Sequence, residues 1–132
     1  MAALITFDFD DTLTQTIATW EEDGTLEDTE FGGPNLVLIQ CLKACAANGN
    51  EVRVVTSRHK RWEKDTLEKL NAFGVLHLLA GVHHTGGEWK ADWMSQNGLD
   101  PIKHFDDDKE ELERFSCETV KVPMHESWRG MD

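Results

Sequence analysis

The segment Leu4-Ile5-Thr6-Phe7-Asp8-Phe9-Asp10-Asp11-Thr12-Leu13 runs from strand-forming apolar residues directly into a burst of carboxylates. Such a chain must place buried backbone beside concentrated negative charge. If Leu4 to Phe9 is a strand, Asp8 and Asp10 project from one face of its end, about 6–7 Å apart along the chain. Two unit charges about 4 Å apart repel by roughly 4 kcal/mol at an effective dielectric of 20, so something has to neutralise them. A divalent cation does this most simply. Oxygen-only ligands favour a hard ion, Mg²⁺ before Zn²⁺.

The rest of the chain alternates strand and helix signals. Residues 15–34 are polar, acidic and Gly-rich, and read as a long loop or a short hairpin flap, about residues 14–34, of the length that usually carries function. Pro34 is expected to open a helix in which Leu36, Val37, Ile39, Leu42 and Ala46 follow helical spacing up to Asn48-Gly49. Val52, Val54 and Val55 mark a second strand over Glu51 to Thr56. A helix from about Lys60 to Phe73, carrying Trp62, Thr66, Leu67 and Leu70 inward, ends at Gly74. A third strand lies within Val75 to His83, before the turn Thr85-Gly86-Gly87 and a short helix over about Trp89 to Gln96. Pro101 to Phe105 is a fourth strand ending in Asp106-Asp107-Asp108. A helix from Lys109 to about Phe115 and a fifth strand from Glu118 to Val122 complete the pattern, with 125–132 as a tail docked by Trp128.

Alternation of this kind predicts an α/β, three-layer Rossmann-like fold: a five-stranded parallel sheet with helices on both faces and a short flap after strand one. In open sheets of this type the site lies beyond the carboxyl ends of the strands. Asp8 and Asp10, Thr56, and Asp106 to Asp108 all fall at such ends. Three separate strands therefore aim polar chemistry at one edge.

At 132 residues the chain has room for one domain, 1–132, with one core. No apolar run reaches the twenty or so residues that span a bilayer, so no membrane association is expected. The first residues lack a basic stretch, so no signal peptide is expected. Cys41, Cys45 and Cys117 are an odd three without a CxxC pair, which suits free thiols in a reducing, cytoplasmic setting. A formal net charge of −12 repels nucleic acid on average.

Four segments in order resemble the motifs of the haloacid dehalogenase superfamily of phosphatases. Asp8-Phe9-Asp10-Asp11-Thr12-Leu13 is similar to its first motif. Val54-Val55-Thr56-Ser57-Arg58 is similar to its second, Lys90 opening a helix to its third, and Phe105-Asp106-Asp107-Asp108 to its fourth. Most members carry a cap domain, for which this chain has no room beyond the flap, so it looks like a small capless member. The resemblance implies a Mg²⁺-dependent phosphatase. Asp8 would be the nucleophile forming an aspartyl-phosphate, and Asp10 the general acid and base. Thr56 would hold a phosphoryl oxygen with help from Ser57, and Lys90 would neutralise the nucleophile and the transferring group. Mg²⁺ would be held by Asp8, the Asp10 carbonyl, and Asp107 or its neighbour Asp106, whose order the sequence leaves open.

Arg58, His59, Lys60, Arg61 and Lys64 form one basic cluster beside Thr56, and Arg58 is a candidate for the substrate anion. His83 and His84 are read as solvent-facing or core histidines, Trp20 as packing the flap down, and Cys41 and Cys45 as core. The expected substrate is a nucleotide or other small phosphomonoester, and the alternative is a phosphorylated nucleic-acid end. A neighbouring subunit serving as lid would make the chain an oligomer. The competing class is a non-enzymatic receiver-like phosphoacceptor module, which would carry an Asp where Thr56 stands.

Overall fold

The computed structural model describes residues 2–20 and 26–123, with the side chains of 17–20 and 26–32 outside the description. Trp20's packing and the tail with Trp128 therefore lie outside the described residues.

The strands are β1 (Leu4–Phe7), β2 (Thr14–Trp20), β3 (Leu26–Pro34), β4 (Glu51–Thr56), β5 (Gly81–His84), β6 (Lys103–Asp106) and β7 (Glu118–Lys121). The helices are α1 (Leu36–Ala47), α2 (Glu63–Ala72), α3 (Lys90–Gln96) and α4 (Lys109–Leu112), with 3₁₀ turns at Lys60–Trp62 and Leu76–Leu78. Five strands form one sheet in the order β5-β4-β1-β6-β7, and every pairing in it is parallel. From β1 the chain winds outward to β4 and β5, then returns past β1 to β6 and β7. With right-handed crossovers, that reversal places α1 and α2 on one face and α3 and α4 on the other. The reversal falls between β1 and β6, the position where open α/β sheets leave a crevice.

The sheet holds because its inward positions are β-branched, aromatic or long aliphatic. Ile5, Phe7, Val52, Val54 and Phe105 are buried in one cluster with Phe9, Leu13, Leu42 and Leu70. Phe7 and Phe105 stack across the β1–β6 pair at 4.5 Å between ring centroids. Each such side chain contributes about 1.5–3 kcal/mol on burial. Cys41 and Cys45 pack half-buried against this core as free thiols.

Several boundaries differ from the sequence expectation for local reasons. The first strand stops at Phe7, not Phe9, and beyond it Asp11 adopts a left-handed backbone (φ 60°). Asp tolerates that conformation better than most residues. The Phe9 carbonyl then accepts the Leu13 N–H at 3.0 Å, folding 9–14 into a tight turn. The turn feeds the antiparallel hairpin β2–β3, the second of the two forms expected for this stretch. Pro34 ends β3 and does not open α1; Asn35 caps that helix, its Oδ1 accepting from the Leu38 N–H. The apolar run Leu76-Leu78 is a 3₁₀ turn, so the third strand of the sheet begins only at Gly81.

No helix among the described residues is long and apolar enough to cross a membrane.

Candidate active site

Parallel pairing sets the register of the site. Phe7 lies opposite Val54 on one side and Phe105 on the other. The Asp8 N–H extends the ladder one step by donating to the Phe105 carbonyl at 2.9 Å. Asp8 is thereby brought beside Asp106, the last residue of β6. Thr56 ends β4 opposite His84, at the same edge.

Lys90 is the first residue of α3, and its side chain is buried. Its Nζ lies 3.2 Å from Asp8 Oδ1, 2.8 Å from Asp106 Oδ2 and 3.3 Å from Glu111 Oε2. The Glu111 carboxylate also accepts the Lys90 backbone N–H at 3.2 Å, satisfying an amide at the start of α3. Of the other lysines near the site, Lys103 pairs with Glu118 and Lys109 with Glu113, away from the cluster.

Asp8, Asp106 and Asp107 each offer a carboxylate oxygen, all within 4.8 Å of one another. Thr12 Oγ1 donates to Asp8 at 3.2 Å and to Asp107 at 3.3 Å. Three carboxylates, those of Asp8, Asp106 and Glu111, thus contact one ammonium, and Asp107 adds a fourth acidic group beside Asp8. Burial, together with the Asp106 charge, pushes the Asp8 carboxyl well above its ordinary range despite Lys90. Burial also pushes Asp107 up to about 6, with the Asp106 charge acting the same way against the hydrogen bond to Asp8. For Lys90, burial works against the charge, but Asp8, Asp106 and Glu111 more than offset it and keep the ammonium protonated. The set fits a hard divalent cation: all donors are oxygens, and the local negative charge exceeds what Lys90 neutralises.

Asp106 and Asp107 have different surroundings. Asp106 is fully buried, and its Oδ2 accepts from Lys90 and from His104 Nε2 at 2.9 Å. Its Oδ1 accepts the Asp108 N–H at 3.0 Å. Burial opposes its charge, but the His104 bond and Lys90 outweigh it and hold the carboxyl far below the usual range. Asp107 is half-buried, and its Oδ1 accepts from Thr12 Oγ1.

Asp10 does not share a face with Asp8, since the strand ends before either residue. Its carboxylate turns to the β4 side. There Arg58 Nη2 donates to Oδ1 at 2.7 Å and Arg58 Nε to Oδ2 at 2.9 Å. Thr16 Oγ1, at the base of the hairpin, donates to Oδ1 at 2.7 Å. Thr56 is fully buried, with its hydroxyl 3.5 Å from Asp10 Oδ2, and accepts the Arg58 N–H at 3.3 Å. Ser57 is exposed. Gly86 and Gly87, both at positive φ, donate their N–H groups to the Arg58 and Ser57 carbonyls at 3.1 and 2.9 Å. The turn after β5 thus braces the loop after β4, in a backbone conformation that favours glycine.

The basic cluster is split. His59, Lys60, Arg61 and Lys64 are exposed, whereas Arg58 is 2% exposed and engaged with Asp10 and Asp65. His83 stands 3.0 Å from Arg53, and His84 Nε2 3.1 Å from Thr66; both are half-buried. The residues that motif reasoning missed are Thr12, Thr16, Asp65, His104 and Glu111. Thr12 lies inside the first motif and Glu111 three residues after Asp108. That spacing suggests a helix capping box, yet the carboxylate reaches Lys90 instead.

No protein-family model matches the sequence. No curated protein matches it significantly. Solved structures do. The N-terminal part of BF1531 from Bacteroides fragilis, containing a phosphatase domain complexed with Mg, superposes with a TM-score of 0.62 at 18% identity. The match covers 93% of this chain and 36% of that one. A putative 3-deoxy-D-manno-octulosonate 8-phosphate phosphatase from Vibrio cholerae gives a TM-score of 0.52 at 14% identity, covering 87% and 63% respectively. This chain therefore spans about a third of the first protein and under two thirds of the second. At these identities the likeness is one of fold. The chain shares the α/β Rossmann-like fold of these proteins.

Proposed function

We propose that the chain is a Mg²⁺-dependent phosphomonoester hydrolase acting through an aspartyl-phosphate on Asp8. The observation that carries this reading is the Lys90 ammonium 3.2 Å from the Asp8 carboxylate, at the sheet edge where Asp106 and Asp107 also converge. Both structural neighbours are described as phosphatases, one of them with Mg, which supports the same chemistry.

Asp8 Oδ attacks phosphorus while the bond to the leaving oxygen breaks, and Asp10 gives that oxygen its proton. Asp10, now a carboxylate, takes a proton from water as the water oxygen bonds to phosphorus and Asp8 leaves. Lys90 opposes the burial that favours a neutral Asp8, as a bound cation would, and faces the charge that spreads over the phosphoryl oxygens. The Thr56 hydroxyl holds one of those oxygens, with the Ser57 backbone beside it. Mg²⁺ would be held by Asp8, Asp107 and the Asp10 carbonyl, adding positive charge at the transferring group. Asp107 suits that role better than Asp106, because both Asp106 oxygens already accept bonds from Lys90, His104 and the Asp108 amide.

A small phosphomonoester is the favoured substrate over a nucleic-acid end. The net charge is −12, and burial of Arg58 removes one cation from the surface next to Thr56. The receiver-like reading is disfavoured by Thr56 at the end of β4.

The test is a screen of nucleotides, sugar phosphates and phosphorylated oligonucleotides with Asp8→Asn as blank. Mg²⁺-dependent phosphate release by the wild type alone is expected. Release that survives Asp8→Asn or EDTA would overturn the reading, and stable labelling by acetyl phosphate without release would favour the receiver module.

A further inference from the structure

Arg58 is built into the molecule in a way that a surface cation is not. Its guanidinium carbon sits 4.9 Å from the centroid of the Phe9 ring and 5.8 Å from that of Trp62. One edge of the group forks onto Asp10, and Nη1 reaches Asp65 Oδ2 at 3.1 Å. The planar fork fixes both the place and the plane of the carboxylate it binds. Asp65, in the first turn of α2, is a second carboxylate on the same cation.

We propose that Arg58 is a positioning residue that aims the Asp10 carboxyl for proton transfer, with Asp65 as its standing counter-charge. The proposal rests on the phosphatase reading and deepens it. A general acid must first carry a proton and then lose it. A buried arginine whose sole carboxylate became protonated would be left without a counter-charge. Asp65 supplies one: when Asp10 is protonated, Arg58 still faces an ionised partner. When Asp10 passes its proton to the leaving oxygen and the phosphorus–oxygen bond breaks, the carboxylate closes on the waiting fork. In the second half, water gives its proton to Asp10 as its oxygen bonds to phosphorus and the Asp8–phosphorus bond breaks. Arg58 itself gains and loses no proton.

The test compares kcat/KM, which reports the first half-reaction, for two substrates. Nitrophenyl phosphate has a leaving group that departs without a proton, whereas an alkyl phosphate needs one. Arg58→Gln should lose about 100-fold on the alkyl ester, within the range of general acid catalysis, and little on the nitrophenyl ester. In an Asp10→Asn background the same change should cost nothing further on the alkyl ester, because the two residues act as a unit. Asp65→Asn, at a side chain 34% exposed, leaves the packing around Arg58 in place and should show the same skew at about five- to tenfold. Equal losses on both substrates from Arg58→Gln and Asp65→Asn would overturn the inference and leave the phosphatase reading standing. Absence of wild-type turnover, or turnover that survives Asp8→Asn, would overturn the reading and this inference with it.

Discussion

Lys90 and Asp106 meet at 2.8 Å between Nζ and Oδ2, both buried, although one opens α3 and the other ends β6. The pair is held at a junction of three elements, since Glu111 of α4 binds both the Lys90 ammonium and its backbone N–H. A single cation therefore serves Asp8, the end of the β6 strand and the start of a helix.

Lys90→Met follows from that arrangement. Removing one partner of a buried ionic group leaves uncompensated charge, worth about 3–5 kcal/mol. Here Asp8, Asp106 and Glu111 would all lose their cation. The expected outcome is a fall of that size in unfolding free energy, measured by urea titration in EDTA, together with loss of turnover. An unchanged urea midpoint would show that the ammonium does not hold these carboxylates together.

Asp107→Asn separates the cation from the fold. The substitution removes one of the charges crowding Asp8, so the metal-free protein should be slightly more stable than the wild type. Added Mg²⁺ should raise the wild-type melting temperature by mass action, as about 2.7 kcal/mol at a hundredfold excess over Kd, and should barely move the variant. Asp106→Asn should instead lower stability with or without Mg²⁺, because it breaks the bonds to Lys90 and His104. Equal Mg²⁺ responses in wild type and Asp107→Asn would remove Asp107 from the ion site.

The same crowding gives a pH signature. Asp107 is pushed from an ordinary value of 3.8 up to about 6, and Asp8 is raised as well. Between these values the folded protein binds protons that the unfolded chain has already lost. Stability of the metal-free protein therefore falls as pH rises through about 4 to 6, and stays reduced above that. The overall negative charge acts in the same direction, so the diagnostic quantity is the difference between wild type and Asp107→Asn. In EDTA that difference should widen in favour of the variant from pH 4.5 to 7.5, read as urea midpoints. A gap that is flat with pH would contradict the buried repulsion.

How much of this was legible in the sequence depends on the range of the interactions. β4 matches the span read from Val52, Val54 and Val55, because β-branched residues and the stop at Thr56-Ser57-Arg58 are local signals. The convergence of Asp8, Asp106 and Asp107 also followed from sequence, because parallel alternation sends every strand end to one edge, whereas Lys90, at a helix start, entered only through the family resemblance. The engagement of Arg58 with Asp10 was not legible within Arg58-His59-Lys60-Arg61, where Arg58 stood only as a candidate for the substrate anion. Its burial depends on Asp10, forty-eight positions earlier, and on the Phe9 ring. The 3₁₀ turn at Leu76–Leu78 was hidden for the opposite reason: an apolar run has no period to tell a turn from a strand.

His104 gave no signal at all within Pro101-Ile102-Lys103-His104-Phe105, yet it lies under the site. Its Nε2 faces the Asp106 carboxylate at 2.9 Å, and its Nδ1 lies 2.7 Å from Thr6 Oγ1. Burial pushes the imidazole pKa down against the pull of Asp106, which favours the neutral ring. A neutral ring facing a carboxylate through Nε2 must carry its proton there, and Nδ1 then accepts from the Thr6 hydroxyl. The chain of bonds from Thr6 through His104 to Asp106 orients the carboxylate that receives Lys90. His104→Leu keeps the volume but leaves the Thr6 hydroxyl unpaired and removes one donor from Asp106. At about 1–3 kcal/mol for each buried polar group left unsatisfied, it should destabilise by roughly 2–4 kcal/mol. Thr6→Val should cost about 1–3 kcal/mol, through the Nδ1 atom alone. In the double variant Thr6→Val, His104→Leu the losses should fall well short of additive, because the second change removes the partner that the first had orphaned. Additive losses in that cycle, read from urea unfolding, would show that the two side chains stabilise the sheet separately.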